Sequence, residues 1–240
     1  MIRKASSDVQ GTQKKYAYLC VLGYNDTVFP LLSPDLVDIA YLKEHPVGTI
    51  PMMRNVLDSH MGSYRRISEN RPFWIKPDAR GKTQMAAAFT CAREIARRWL
   101  AQQPEDGQAL RQECFPPVII NITDAQDNGR GDPIAITEEI RREGTRQGAI
   151  LIFTCHFTKH MGQSLIFPST REQVARLDPP YAEQMFMMSS VIPEPLRRNA
   201  MIKLGLSHAV TPEARGFIYN ADTEVLVNFL HWGTQGIIAE

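Results

Sequence analysis

Three stretches of the chain carry oxygen-bearing side chains that could together bind a hard divalent cation. Asp124 directly follows the apolar run Val118–Ile122, the pair Asp26–Thr27 follows another apolar stretch, and the loop 78–83 (DARGKT) ends at Thr83. Mg²⁺ prefers a small number of oxygen ligands from the protein and keeps several waters. These groups would therefore suit Mg²⁺ if they faced one crevice. From spacing alone the simpler interpretation is favoured, in which Asp124 only closes a turn.

Alternating strands and helices would position these groups. Strands are predicted at Tyr16–Gly23, Val118–Ile122, Ala149–Phe157 and Gly216–Asn220, and helices at Met85–Leu100, Pro133–Arg146, Tyr181–Ser189, Pro195–Leu204 and from Asp222 to Trp232. Strands separated by helices predict an α/β fold with a mostly parallel sheet covered on both faces. In such sheets, ligands collect beyond the carboxyl ends of the strands, and Asp124 follows such an end.

The segment around 30–80 is predicted to be an irregular insertion in a single domain spanning residues 1–240. It contains six prolines, so a long helix is excluded. A short helical turn is expected near Leu36–Lys43, and a short edge strand around Phe73–Lys76.

Composition limits the classes of partner. The net charge is +1, so no global field favours nucleic acid or an anionic membrane. No apolar run has transmembrane length, and the polar N-terminal stretch lacks the apolar core of a secretion signal. Four widely spaced cysteines are typical of reduced thiols, so a cytoplasmic location is expected. Scattered arginine pairs, such as Arg141–Arg142, are interpreted as solvated faces.

Six stretches of the sequence agree, in order, with one known family. They are YLCVLGYND, ARGKTQMAAAFTCAREIARRWL, CFPPVIINITDAQDNGRGDP, LIFTCHFT, MFMMSSVIPEPL and ARGFIYNADTEVLVNFL. With these stretches the chain resembles bacterial von Willebrand factor A (VWA) domain proteins. More narrowly, it is similar to a stand-alone cytosolic group often encoded beside Ser/Thr kinases and phosphatases. The resemblance implies a Rossmann-like, doubly wound, mostly parallel sheet with helices on both faces.

The family's metal-ion-dependent adhesion site (MIDAS) is only partly matched. By motif matching, Thr83 in GKTQM is its threonine and Asp124 in ITDA is its aspartate, whereas the DxSxS stretch of the first strand is absent from these 240 residues. The resemblance implies that this missing strand belongs in the middle of the sheet. Three explanations stay open: a truncated start, a strand supplied by a second chain, or direct pairing of the two flanking strands.

The resemblance implies a non-enzymatic protein–protein interaction module in a bacterial signalling or stress/defence system. In VWA domains Mg²⁺ keeps an open position that an Asp or Glu carboxylate of the partner fills. With Thr83 and Asp124 as its metal ligands, the site is incomplete in this chain. Two alternatives are a degenerate VWA scaffold that binds without metal and, in another class, a metal-dependent hydrolase that uses Asp124 and His156.

Overall fold

The structure, a computed structural model, describes residues 17–58, 62–76, 81–103, 110–124, 129–156, 164–177, 181–206 and 210–234. Its strands are β1 (Tyr18–Leu19), β2 (Leu22–Tyr24), β3 (Val28–Pro30), β4 (Val37–Asp38), β5 (Gly48–Asp58), β6 (Ser63–Phe73), β7 (Val118–Thr123), β8 (Gly144–Thr145), β9 (Gly148–Ala149), β10 (Leu151–His156), β11 (Leu165–Ile166) and β12 (Phe217–Tyr219). Its α-helices are α1 (Ile39–Glu44), α2 (Met85–Ala101), α3 (Pro133–Ile140), α4 (Arg171–Val174), α5 (Tyr181–Met188), α6 (Glu194–Leu204) and α7 (Thr223–Gly233).

The described residues divide into two compact units. The first contains those within Met1–Gly23 and Phe29–Ala79, and the second contains those within Tyr24–Val28 and Arg80–Glu240. None of the described helices is both long and apolar enough to cross a membrane.

The first unit has a small core and a long two-stranded hairpin. Leu32, Val37 and Leu42 form the core, and the indole N–H of Trp74 donates to the backbone carbonyl of Leu42. The hairpin pairs β5 with β6 in antiparallel register over eleven residues each. Most of its described side chains are exposed, so they contribute little to a core.

A mostly parallel four-stranded sheet organises the second unit. The strand order is β11–β12–β10–β7, in which β7, β10 and β12 run parallel and β11 runs antiparallel to β12. Along β10 and β7 the register pairs Leu151 with Val118 and His156 with Thr123. All six residues of β10 are buried, which is typical of a central strand covered on both faces.

Helices pack on both faces of this sheet. On one face Ile150 and Ile152 contact a core that includes Met85 and Phe89 of α2, Ile140 of α3 and Met185 and Phe186 of α5. On the other face Leu151 and Phe153 lie in a core that includes Leu196 of α6 and Phe229 and Trp232 of α7. The chain is therefore a mixed α/β protein, as the sequence predicts.

Most of the predicted elements of this unit are confirmed, with shifted ends. Asp132 begins α3 and accepts a hydrogen bond from the backbone N–H of Ile134 at 2.8 Å, but the helix ends at Ile140 and not at Arg146. Gly144 explains the early stop, because a Cβ there would lie 2.1 Å from the carbonyl oxygen of Gly148 in the β8–β9 hairpin. A helix continuing to Arg146 could not make this close backbone approach.

The predicted buried strand Tyr16–Gly23 is wrong in its described part. The backbone forms two short strands there, since β1 pairs with β4 and β2 pairs with β3. These strands are only half-buried, and Leu19 is exposed. Each lies in a two-stranded sheet and not in the four-stranded sheet of the second unit.

Candidate functional site

The tip of the β2–β3 hairpin is fixed to the loop that precedes α2. The Asp26 carboxylate accepts a hydrogen bond at Oδ1 from the backbone N–H of Lys82, at 2.9 Å. Gly81 has a φ of +78°, and a Cβ built on it would lie 2.1 Å from Oδ2 of Asp26. Glycine is therefore required at position 81 for two reasons, its left-handed backbone and the close approach of Asp26.

A buried amide connects the start of α2 to the end of β7. The Tyr24 hydroxyl donates to Oδ1 of Asn121 at 2.6 Å, and Nδ2 of Asn121 lies 4.0 Å from the sulfur of Met85. Neither Tyr24 nor Asn121 was predicted from the sequence as a site residue. A polar amide inside the otherwise apolar run VIINIT was the sequence feature that could have identified Asn121, because a buried amide needs a partner.

These contacts bring the hairpin tip and the start of α2 to β7, and the predicted site residues adjoin these elements in sequence. Thr83 is half-buried and stands two residues before Met85, whereas Asp124 is exposed and directly follows β7. Asp26 is brought to the Thr83 loop through Lys82. That Thr83 and Asp124 share one metal ion stays a prediction, and Asp78, Ala79 and Arg80 of the same loop lie outside the described residues.

His156 ends β10 beside Asp124. Its side chain is 1% exposed, and its ring lies 4.7 Å from the ring of Tyr219 between centroids. Burial lowers the pKa of His156 to about 4, although the nearby charge of Asp124 acts in the opposite direction. Among the described side chains and backbone groups, Nδ1 of His156 has no hydrogen-bond partner. The imidazole is therefore neutral at physiological pH.

Cys155 and His156 belong to opposite faces of the sheet. Cys155 packs in the core formed with α6 and α7, whereas His156 lies against Tyr219, which belongs to the other core. Burial raises the pKa of the Cys155 thiol to about 12, so it stays protonated and unreactive. These neighbours cannot act as a nucleophile–base pair.

The donors at this end have the right chemistry for Mg²⁺ but are few. Asp124 and Thr83 offer oxygen atoms, whereas Oδ1 of Asp26 is already engaged by Lys82. Within the described ranges, no cluster of three or more His, Cys, Asp or Glu side chains could hold a metal ion. This set fits a loosely held ion that keeps most of its waters, and it does not fit a tight site.

Comparison with known proteins gives no match: no family model fits the chain, and neither the curated proteins nor the solved structures contain a significant relative.

Proposed function

We propose that this chain is a non-enzymatic protein–protein interaction module of the VWA type, built on a Rossmann-like doubly wound sheet. The observation that carries the proposal is the arrangement at the carboxyl end of β7. There Asp124 presents an exposed carboxylate, and Asp26 fixes the backbone of the loop that leads to Thr83. Ligand sites of doubly wound sheets lie at this end.

The proposed partner is a protein that presents an Asp or Glu carboxylate. Asp124 and Thr83 are the residues that would hold Mg²⁺, which when bound offers an open coordination position to such a carboxylate. The motifs shared with stand-alone VWA proteins support a cytoplasmic role in a bacterial signalling or stress/defence system.

The state of His156 favours a binding role over a hydrolase. Its imidazole is almost fully buried, and its pKa of about 4 makes it a weak base at neutral pH. Efficient general bases have pKa values near the working pH. A hydrolase that used Asp124 and His156 would need a rearrangement to expose and activate the ring.

The edge position of β7 supports a strand supplied by a second chain. In the described sheet β7 is the terminal strand, and Ile122 within it is 39% exposed. The neighbouring strand β10 is buried throughout. A metal-free scaffold that binds its partner only through shape and this edge is the second candidate of the same fold.

Manganese binding tests the proposed site, since Mn²⁺ takes the same oxygen ligands and its binding can be followed through water proton relaxation. The full chain should bind Mn²⁺ weakly, with a Kd of about millimolar or higher. Asp124→Asn should weaken this binding further, whereas Glu213→Gln, which removes a different exposed carboxylate, should leave it unchanged. A Mn²⁺ site unaffected by Asp124→Asn would refute the assignment of Asp124.

An activity screen separates the binder from the hydrolase. The purified chain is assayed with generic phosphatase and nuclease substrates in Mg²⁺ or Mn²⁺. No turnover above background is expected. Turnover that disappears in both Asp124→Asn and His156→Gln would instead establish the hydrolase.

A further inference from the structure

Two arginines converge on the last carbonyl groups of α5, at the end of β10 opposite to His156. Nη1 of Arg141 donates to the carbonyl oxygen of Met188 at 2.7 Å, and Nη1 of Arg215 donates to that of Ser189 at 2.6 Å. Both side chains also contact the carbonyl oxygen of Met187, at 3.2 and 3.4 Å. The two guanidinium groups are thus held close together.

The helix end does not balance this positive charge. A helix C-terminus carries about half a negative charge, whereas two guanidinium groups carry two positive charges. Within the described part of the chain, neither Arg141 nor Arg215 has a carboxylate in salt-bridge distance. Burial lowers the pKa of both groups. The charge of Arg215 lowers the pKa of Arg141 further, whereas that of Glu138 acts in the opposite direction.

Both arginines are held by several independent contacts. The Arg215 guanidinium lies 5.1 Å above the Phe186 ring, and its backbone forms a β-bridge with Val191. Arg141 is the C-cap residue of α3. Only Nη1 of each side chain bonds to the described backbone, so the Nε and Nη2 donors of each fork stay available. The Nε–Nη2 side of a guanidinium group can bind a carboxylate or phosphate at two oxygens.

A cavity of about 350 Å³ adjoins the two arginines. Arg141 and Arg215 line it together with Ser190 and the apolar side chains of Ala149, Ile150, Leu151 and Val191. Ala149 and Val191 are exposed, so the cavity opens to solvent. Its volume is at the lower end of the range of small-molecule sites, which combine apolar walls with a few polar groups.

We propose that this cavity binds a small ligand through a carboxylate or phosphate group. Arg141 and Arg215 donate hydrogen bonds to the oxygens of that group, and the apolar walls contact the rest of the ligand. The ligand supplies the negative charge that the described protein groups do not. The site lies at the amino end of β10, whereas the proposed partner-binding site lies at the carboxyl end of β7. The two proposals can therefore fail independently.

Binding of matched probes to the full chain tests the proposal. Phenyl phosphate and benzoate share an aromatic body and differ in the oxyanion, benzamide is the neutral counterpart, and inorganic phosphate lacks the body. Calorimetry at low ionic strength should show saturable binding of at least one of the two aromatic anions. Benzamide should bind at least about tenfold more weakly, because it lacks the charge-assisted hydrogen bonds. The aromatic anion that binds more tightly shows whether the site prefers a phosphate or a carboxylate.

Substitutions then locate the site. Arg141→Gln and Arg215→Gln should each weaken anion binding about tenfold or more, because a charged fork is removed. Arg142→Gln is the matched control, since the neighbouring Arg142 is exposed and does not line the cavity. It should bind the anion as the unsubstituted chain does.

Both arginines also cap α5, so their loss could affect folding. Val191→Phe fills the cavity and keeps both arginines in place, and it should abolish anion binding while circular dichroism stays unchanged. Absence of saturable anion binding in the unsubstituted chain would overturn the proposal. It would also be overturned if Val191→Phe bound the anion normally, or if Arg142→Gln weakened binding as much as Arg141→Gln.

Discussion

Neighbouring residues of the same type can have different environments, as Arg141 and Arg142 do. The sequence suggested that this pair forms a solvated face, which is confirmed for Arg142 and wrong for Arg141. Arg141 is the C-cap residue of α3, and its guanidinium reaches the carbonyl groups at the end of α5. Periodicity could not reveal this contact, because it depends on how two helices distant in sequence are placed by the sheet.

His156 makes the stability of the fold depend on pH. Its pKa in the folded chain is about 4, below the ordinary value of 6.5, so the unfolded chain takes up a proton first as the pH falls. The free energy of unfolding should therefore decrease between pH 6.5 and pH 4. Since one pKa unit corresponds to about 1.4 kcal/mol, this group contributes a loss of about 2–3 kcal/mol.

Urea unfolding at pH 7 and pH 4.5 measures this contribution. His156→Gln cannot titrate and should lose about 2–3 kcal/mol less than the unsubstituted chain between the two pH values. His231→Gln, which changes an exposed histidine, should keep the full pH dependence. If the chains with and without His156 lost the same free energy of unfolding between the two pH values, folding would not lower the pKa of His156.

Strand β10 comes so close to Gly216, the residue before β12, that only glycine fits there. A Cβ on Gly216 would lie 2.1 Å from the Phe153 ring, which is fully buried and packs against Trp232 with ring centroids 5.1 Å apart. Gly216→Ala should therefore destabilise the fold by about 1–3 kcal/mol through overpacking.

A double substitution shows whether the Phe153 ring is the cause of that loss. Phe153→Leu shortens the side chain that the new methyl group meets. The combined variant should consequently lose less stability than the sum of the two single losses, as measured by urea unfolding. Strict additivity of the two losses would contradict the proposed clash.

The β5–β6 hairpin is the longest element that the sequence analysis missed. A strand is recognised by alternation between a buried and an exposed face, and most residues of β5 and β6 are exposed on both. Pro51 and Pro72, which exclude a long helix here, lie within these strands, since proline is tolerated where its missing N–H would face solvent. The proposed short strand around Phe73–Lys76 is wrong, because β6 ends at Phe73.

For the whole molecule, the sequence predicted the centre of the sheet better than its edge. Leu151 and Phe153 are buried as expected, because a strand covered on both faces must be continuously apolar. Ile122 belongs to a similar apolar run but is 39% exposed. Apolar composition alone does not show whether a strand has one neighbour or two. At the candidate site the sequence indicated Thr83 and Asp124, and their shared ion stays a prediction. It did not indicate the hydrogen bond between Tyr24 and Asn121, because that bond depends on tertiary placement.

The edge position of β7 leads to a prediction about association. A terminal strand offers unpaired backbone groups to another chain, and β7 is terminal in the described sheet. We expect the purified chain to form an oligomer, visible by light scattering coupled to size-exclusion chromatography.

Ile122→Lys should shift the chain toward the monomer without unfolding it, because a lysine on an edge strand opposes pairing with a second strand. Val227→Lys is the matched control, since it places the same change at an exposed position of α7, and it should stay associated. A monomeric unsubstituted chain, or equal behaviour of the two lysine variants, would show that the edge of β7 does not recruit a second chain.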